Sequence, residues 1–196
     1  MTGPDLLRRA LLRDTPQSSD YDLNPEVVLP PGRVLRPASV LVAVCEGKGG
    51  PSVLLTKRAS GLKHHPGQIA FPGGKIDAGD GSPEAAALRE AQEEVGLNPA
   101  LVTLIGRLPA HETVTGYTVT PVLGHIETCF DTRAEAGEVE EVFRVPLAHL
   151  AQPVNFRVER RMWRGQWRRY YAVPYGPYYI WGATARMLRA LAERLA

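Results

Sequence analysis

Two cysteines in 196 residues are too few to staple a fold. Cys45 and Cys129 lie far apart and lack metal-ligand spacing, which argues against a disulfide scaffold or a zinc site and for a reduced, cytoplasmic protein. No apolar run approaches the ~20 residues that a membrane span requires. The N-terminal MTGPDLLRRALLR is too charged for a secretory signal and reads as a short amphipathic helix. The net charge of +2 gives no strong field of either sign, so charge alone points to no nucleic acid or acidic partner. Internal repeats and low-complexity tracts are also missing, which excludes a solenoid or a disordered array. The length suits one domain with a substantial core.

Glycine and proline, by contrast, are plentiful, and they punctuate a simple order of elements. Residues 1–37 read as an N-terminal helix and a connector packed on the domain; the stretch from residue 14 is rich in Pro, Ser, Asp and Asn. Residues 38–196 read as the domain itself. Ala38–Cys45 and Ser52–Thr56 are apolar, β-branched runs around GKGG and suggest a hairpin. Leu101–Leu108, Tyr117–Ile126 and Val139–Val145 look like strands, with a short helix at Leu147–Ala151. Phe156–Trp163 and Gln166–Val173 flank Arg164–Gly165 as a second hairpin, and a helix from about Ile180 to Leu195 closes the chain. This interleaving is that of an α/β fold with a mixed sheet.

The most informative stretch is FPGGKIDAGDGSPEAAALREAQEEVGL, residues 71–97. Ser82 followed by Pro83 is a strong helix start, and Gly96 a natural stop. Leu88, Ala91 and Val95 fall on one stripe that would face a core. Glu90, Glu93 and Glu94 stand at i, i+3 and i+4, so their carboxylates share a face. They meet the negative end of the helix dipole and repel one another, with no cation after them in the turn. Arg89 reaches Glu93 at i+4, in the less favourable order. An isolated EAQEE would read as a solvated acidic face. Gly73–Gly74 ahead of it changes that reading, because bare backbone can turn sharply and offer a carbonyl to a ligand.

The stretch resembles the Nudix box, G-x5-E-x7-R-E-U-x-E-E-x-G-U, with Gly74, Arg89, Glu90, Glu93, Glu94, Gly96 and Leu97 at matching places. The interval from Gly74 to Arg89 is one residue longer than the pattern, so the slot of the first glutamate falls on Asp80 or Gly81; Ala91 stands where a larger aliphatic is usual. The resemblance implies an α/β/α sandwich and hydrolysis of a nucleoside diphosphate linked to another group. It implies Glu90 and Glu94 as metal ligands, Glu93 and the carbonyl of Gly74 completing the set, and Arg89 orienting a glutamate, Glu93 by preference. Hard oxygen donors of this kind suit Mg²⁺ or Mn²⁺. Such ions neutralise phosphate oxygens and activate water, so no serine or cysteine nucleophile is needed. Relatives recruit a further acid from a loop beyond the box. GEVEEVFRVPL offers Glu138, Glu140 and Glu141, and Glu138 matches that position best; as surface charges, all three could equally be solvated.

Upstream, LLTKRASGLKHHPGQIAFPGG, residues 54–74, resembles the signature of the coenzyme A branch of these enzymes, LLTxR(S/A)x3Rx3Gx3FPGG. Leu54, Leu55, Thr56, Arg58, Ala59, Gly67 and Phe71 to Gly74 are in register, and Lys63 replaces an arginine, keeping the charge but not the planar fork. YYIWGATARML, residues 178–188, is similar to the closing helix of that branch, whereas the first 35 residues are not accounted for. The implied substrate is coenzyme A, cut to 3′,5′-ADP and 4′-phosphopantetheine, with Arg58, Lys63 and Gly73 on the substrate side. The alternatives are a Nudix hydrolase of ADP-ribose or a nucleoside triphosphate, and a non-catalytic nucleotide- or RNA-binding module. A monomer or homodimer acting on a small molecule away from membranes is expected. His64–His65 read as loop residues near phosphate. RVERRMWRGQWRRYY, residues 157–171, interleaves arginine with aromatics; that pattern fits single-stranded nucleic acid, or a hairpin whose aromatics pack while its arginines face water. The near-neutral chain weighs against nucleic acid.

Overall fold

Two ten-residue strands, each apolar on both faces, form the middle of the molecule. The computed structural model describes residues 3–163 and 165–196; Met1 and Thr2 of the expected helix and Arg164 of the expected turn lie outside the described residues. In chain order the elements are α1 (Gly3–Leu12), β1 (Ser18–Ser19), β2 (Arg36–Cys45), β3 (Ser52–Arg58), β4 (Ile69–Ala70), β5 (Gly73–Lys75) and α2 (Pro83–Val95). There follow β6 (Thr103–Arg107), β7 (His111–Glu112), β8 (Tyr117–Ile126), β9 (Val139–Pro146), α3 (Leu147–Leu150), β10 (Arg157–Trp163), β11 (Gln166–Ala172) and α4 (Ala183–Leu195). Strands β1 to β9 build one mixed sheet, and β10–β11 a separate hairpin.

β2 and β8 run parallel in continuous register from Arg36↔Tyr117 to Cys45↔Ile126. β2 shows how the layers arise. Its Leu41, Ala43 and Cys45 point to one face and pack with Ala87, Ala91 and Val95 of α2. Val42 and Val44 point to the other and join Leu188 and Leu191 of α4 and Leu7 of α1. A strand buried on both faces needs no polar alternation, which is why it reads as a continuous apolar run. The result is the expected α/β/α sandwich.

The N-terminal segment is tied down at several points. Arg194 donates to the Ala10 carbonyl at 2.7 Å, and Arg13 donates to that of Glu193 at 2.8 Å. β1 lies parallel to β7, and buried His111 bridges Ser18 at 2.9 Å and Asp20 at 3.1 Å. Ser18 is itself buried, so this row is a clasp between the N-terminal segment and the sheet. Cys45 and Cys129 are both free thiols.

Four expectations need correction. The closing helix starts at Ala183 instead of Ile180, because Trp181 pairs with Ala172, Tyr178 with Tyr175, and Gly182 turns with φ 66°. Leu101 ends a 3-10 turn, Pro99–Leu101, and the strand there begins at Thr103. On α2 the buried stripe is Ala86, Ala87, Ala91 and Val95, with Leu88 only partly covered at its margin. The β10–β11 hairpin packs only part of its aromatics: Tyr171 lies against the core, but every residue of β10 is exposed and Trp167 is 57% exposed. It is a separate two-stranded arm, rooted at Tyr171 and at the bonds of Asn24 with the Arg169 backbone.

Gly73 fixes how close β5 can lie to β2. A Cβ there would fall 2.4 Å from the Ser39 carbonyl oxygen and 2.6 Å from the Val40 Cα, both backbone atoms that cannot swing aside. Gly73→Ala is therefore expected to destabilise the fold by about 2–3 kcal/mol, the usual scale for forcing atoms into a packed site. Urea unfolding measures it, and an unchanged midpoint would contradict this packing.

Candidate active site

Helix α2 is built as its sequence suggests. Ser82 accepts the Ala85 N–H at 3.1 Å, Pro83 follows at the first helical position, and Gly96 closes the helix with φ 69°. The crowding of carboxylates at its end is relieved by backbone. The N–H groups of Arg133 and Glu135 each donate at 3.0 Å, to the carbonyls of Val95 and Glu94. Those dipoles do what a basic last turn would otherwise do.

The three glutamates are not equivalent. Glu94 is buried, 4% exposed, and accepts the Gly73 N–H at 3.2 Å. Burial raises its carboxyl well above the ordinary range, to about 8; the Gly73 bond and the charge of Arg58 oppose that rise, and Glu90 and Glu138 add to it. Glu90 is mostly covered and is also raised by burial, against the pull of Arg89. Glu93 is the exposed member and meets Arg89 at 3.1 Å.

Arg89 is the hub of the group. It grips Asp80 through Nε at 2.8 Å and Nη2 at 3.0 Å, and reaches Glu90 at 3.0 Å and the Lys75 carbonyl at 3.3 Å. The guanidinium holds the Asp80 carboxyl below the usual carboxylate range. Spacing left the first acid between Asp80 and Gly81; the side chain seated against the helix is Asp80. The expected contact of Arg89 with Glu93 is present, but the two-pronged grip is on Asp80.

The loop acids separate in the same way. Glu140 pairs with Lys57 at 2.6 Å, and Glu141 accepts the Tyr178 hydroxyl. The charge of exposed Glu138 acts on both Glu90 and Glu94. Gly74 lies against Glu90, where a Cβ would come 2.5 Å from Oε1. Among the described residues no three His, Cys, Asp or Glu side chains converge to hold a metal alone. Glu90, Glu94 and a Gly74 carbonyl are hard oxygen donors that suit a magnesium-like ion, which keeps several waters and shares its shell with substrate phosphates.

A cavity of about 650 Å³ lies among β2, β4, the loop before β4, the β10–β11 arm and the start of α4. Arg58 lines it and its charge also acts on Glu94, which links the cavity to the helix; its Nε is buried without a partner. Lys63, His64 and His65 lie on the exposed loop at the cavity wall. Gly73 lies between β2 and Glu94, its N–H already engaged. Trp163, Trp181 and Thr113–Thr115 also line the cavity. Sequence reasoning did not assign these to a site, although the arginine–aromatic alternation of residues 157–171 was visible.

The NUDIX domain model matches residues 35–164. The chain is 46% identical over 160 residues to proteins of Salmonella paratyphi B and Salmonella newport named uncharacterized Nudix hydrolase NudL, covering 82% of this chain and 83% of theirs. It superposes on RenU, a Nudix hydrolase of M. smegmatis, with a TM-score of 0.51 at 26% identity, covering 62% of this chain and 83% of that one. The NUDIX domain of NrtR from Shewanella oneidensis, solved with ADP ribose, shares the fold with a TM-score of 0.53 at 17% identity, over 90% of this chain and 97% of its own. The chain belongs to the Nudix hydrolase family. Members of this class act on nucleoside diphosphate derivatives with divalent metal ions. Among the described residues, no helix is long and apolar enough to cross a membrane.

The buried Glu94 predicts a pH dependence of stability. Its carboxyl binds a proton in the folded state up to about pH 8, whereas the unfolded chain releases it near the ordinary carboxylate value. In metal-free protein, stability should therefore fall as pH rises through that window, by at most about 1.4 kcal/mol per pH unit. Glu94→Gln should flatten the slope and leave the protein more stable at pH 8. Urea titrations from pH 5 to 9 check this, and identical slopes in both proteins would contradict it.

Proposed function

We propose that the chain hydrolyses the diphosphate of coenzyme A and its derivatives to 3′,5′-ADP and 4′-phosphopantetheine, with Mg²⁺ or Mn²⁺. The position of Arg58 carries this reading. It ends β3, inside the segment that resembles the coenzyme A signature, and it is a cavity-lining guanidinium with an unused donor beside the buried Glu94. A fixed, permanently charged fork with a free N–H suits a phosphate oxygen.

When bound, the ion would neutralise phosphate oxygens and make an attacking water more acidic. Glu90, Glu94 and the Gly74 carbonyl would hold it, with Glu93 at the exposed edge of the same face. Arg89, anchored on Asp80, keeps Glu90 and Glu93 in place. Glu138 is the acid free to take the proton of the attacking water, since Glu140 and Glu141 are committed to Lys57 and Tyr178. Arg58 and Lys63 would bear on substrate phosphates, and Gly73 would let the chain pass close beneath them.

A panel of coenzyme A, 3′-dephospho-coenzyme A, ADP-ribose and nucleoside triphosphates with Mg²⁺ or Mn²⁺ tests the assignment. Coenzyme A should have the highest kcat/KM; faster cleavage of ADP-ribose or a triphosphate would overturn it. Glu90→Gln and Glu94→Gln should each abolish most activity in a folded protein. Glu138→Gln should lower kcat about 10²- to 10⁴-fold with little change in KM, as loss of a general base does, whereas Glu140→Gln should stay near wild type.

A further inference from the structure

One wall of the cavity that Arg58 lines is formed by the β10–β11 arm. Register divides the arm into two faces. Arg161 and Trp163 share one face with Arg168 and Tyr170, while Arg160 and Met162 share the other with Arg169 and Trp167. Arg161, Trp163, Arg168 and Tyr170 all line the cavity, Arg169 reaches it from the other face, and Trp181 joins them from the segment before α4. The Arg161 guanidinium lies 4.9 Å from the Trp181 ring centre and 5.7 Å from that of Trp163.

The charge of this chamber is one-sided. Arg58, Lys63, Arg161, Arg168 and Arg169 line it, and among the described residues Asp20 is the single acid in its wall. Asp20 is already engaged, with one oxygen at His111 and the other accepting the Val114 N–H at 2.8 Å. The two ends of coenzyme A differ in the same sense. One is a purine carrying a phosphomonoester of nearly two charges, and the other a neutral chain of amides. Aromatic faces bind a base by stacking, and paired guanidinium groups bind a phosphomonoester, whereas neither has a particular match in the amide chain. The volume lies within the range of small-ligand pockets.

We infer that this chamber is the binding site for the 3′-phosphorylated adenosine end of the substrate. The base lies against Trp163 and Trp181, and the 3′-phosphate meets Arg161, Arg168 and Lys63. The diphosphate then passes Arg58 toward Glu90 and Glu94, and the pantetheine arm extends away from the chamber. The identity of the ligand rests on the coenzyme A reading. Lys63, Arg161 and Trp163 lie within the matched NUDIX segment, residues 35–164, whereas Arg168, Tyr170 and Trp181 lie beyond it.

The chain has three tryptophans, Trp163, Trp167 and Trp181, all on or beside the arm, so intrinsic fluorescence reports on this chamber directly. Metal-free protein is titrated with 3′,5′-ADP and with 5′-AMP, following tryptophan emission and heat. The bisphosphate should bind about tenfold tighter, the worth of one charge-assisted contact. The double variant Arg161→Ala/Arg168→Ala should bring the two ligands within about twofold of each other, and Trp163→Leu should weaken both, on the same scale of energies. Arg160→Ala removes the same charge from the opposite face and should leave the ratio unchanged. Equal affinities in the wild type, a ratio that survives the double variant, or an equal loss in Arg160→Ala would overturn the assignment. Coenzyme A turnover without that preference sinks the chamber alone. A chamber that discriminates in a protein unable to cleave coenzyme A sinks the substrate reading and leaves the phosphorylated-nucleoside site standing.

Discussion

The hydrogen bond from the Gly73 N–H to the Glu94 carboxylate joins the two halves of the active site. On one side is the strand–loop–strand segment that ends in two glycines; on the other is the helix that carries the acids. The bond forms only because Gly73 lies flat against Ser39 and Val40, closer than any side chain permits. That approach brings Glu94 under the sheet edge, out of water, within reach of the field of Arg58. It also seats Gly74 against Glu90. The main axis of the molecule, β2, thus sets the site by contact with a residue that has no side chain.

The helix end illustrates the conflict between stability and function. Burying Glu94 and stacking Glu90 and Glu93 near it works against the fold, since each carboxylate opposes the others and the dipole. The protein does not answer with a lysine in the last turn, which would neutralise the acids that it must present. It answers with main-chain N–H groups from residues 133 and 135, which satisfy the carbonyls and leave the carboxylates available. Arg89 is directed sideways, toward Asp80, so its charge organises the group from the rim.

Local chemistry was the legible part of the sequence. Ser82–Pro83 and Gly96 delimited α2 because capping depends on a few neighbouring atoms, and β8 was readable from one uninterrupted run. The glutamates were singled out by spacing and Arg58 by the resemblance to the coenzyme A signature, and in the structure the charge of Arg58 reaches Glu94. Strands of two residues, such as β4 and β7, carry no period to read. The start of α4 was missed because residues 178–181 are apolar in either conformation, and only their pairing with residues 172 and 175 decides. Asp80 could not be chosen over Gly81 by counting, since the loop before Ser82 has its own path. The arm was misjudged for a related reason: alternation divides a hairpin into two faces, but says nothing of whether another element covers either one.

The parallel pairing of β2 with β8 has a consequence for how the chain reaches this state. Strands that must meet across roughly 80 residues close a long loop before they gain any contact, so topology of this kind folds slowly. Arg58, Gly73 and Glu94 all lie inside that loop, near one another along the chain, and the entropy of closure is smallest for them. Order of assembly then follows from geometry: the acid, the glycine and the cation can find each other while the sheet is still open. Glu138 lies on the far side of β8 in sequence and joins only when β9 docks on β3. Glu138, the acid proposed above to take the proton, therefore joins after α2, and the helix proposed to hold the metal can take shape before the sheet closes around it.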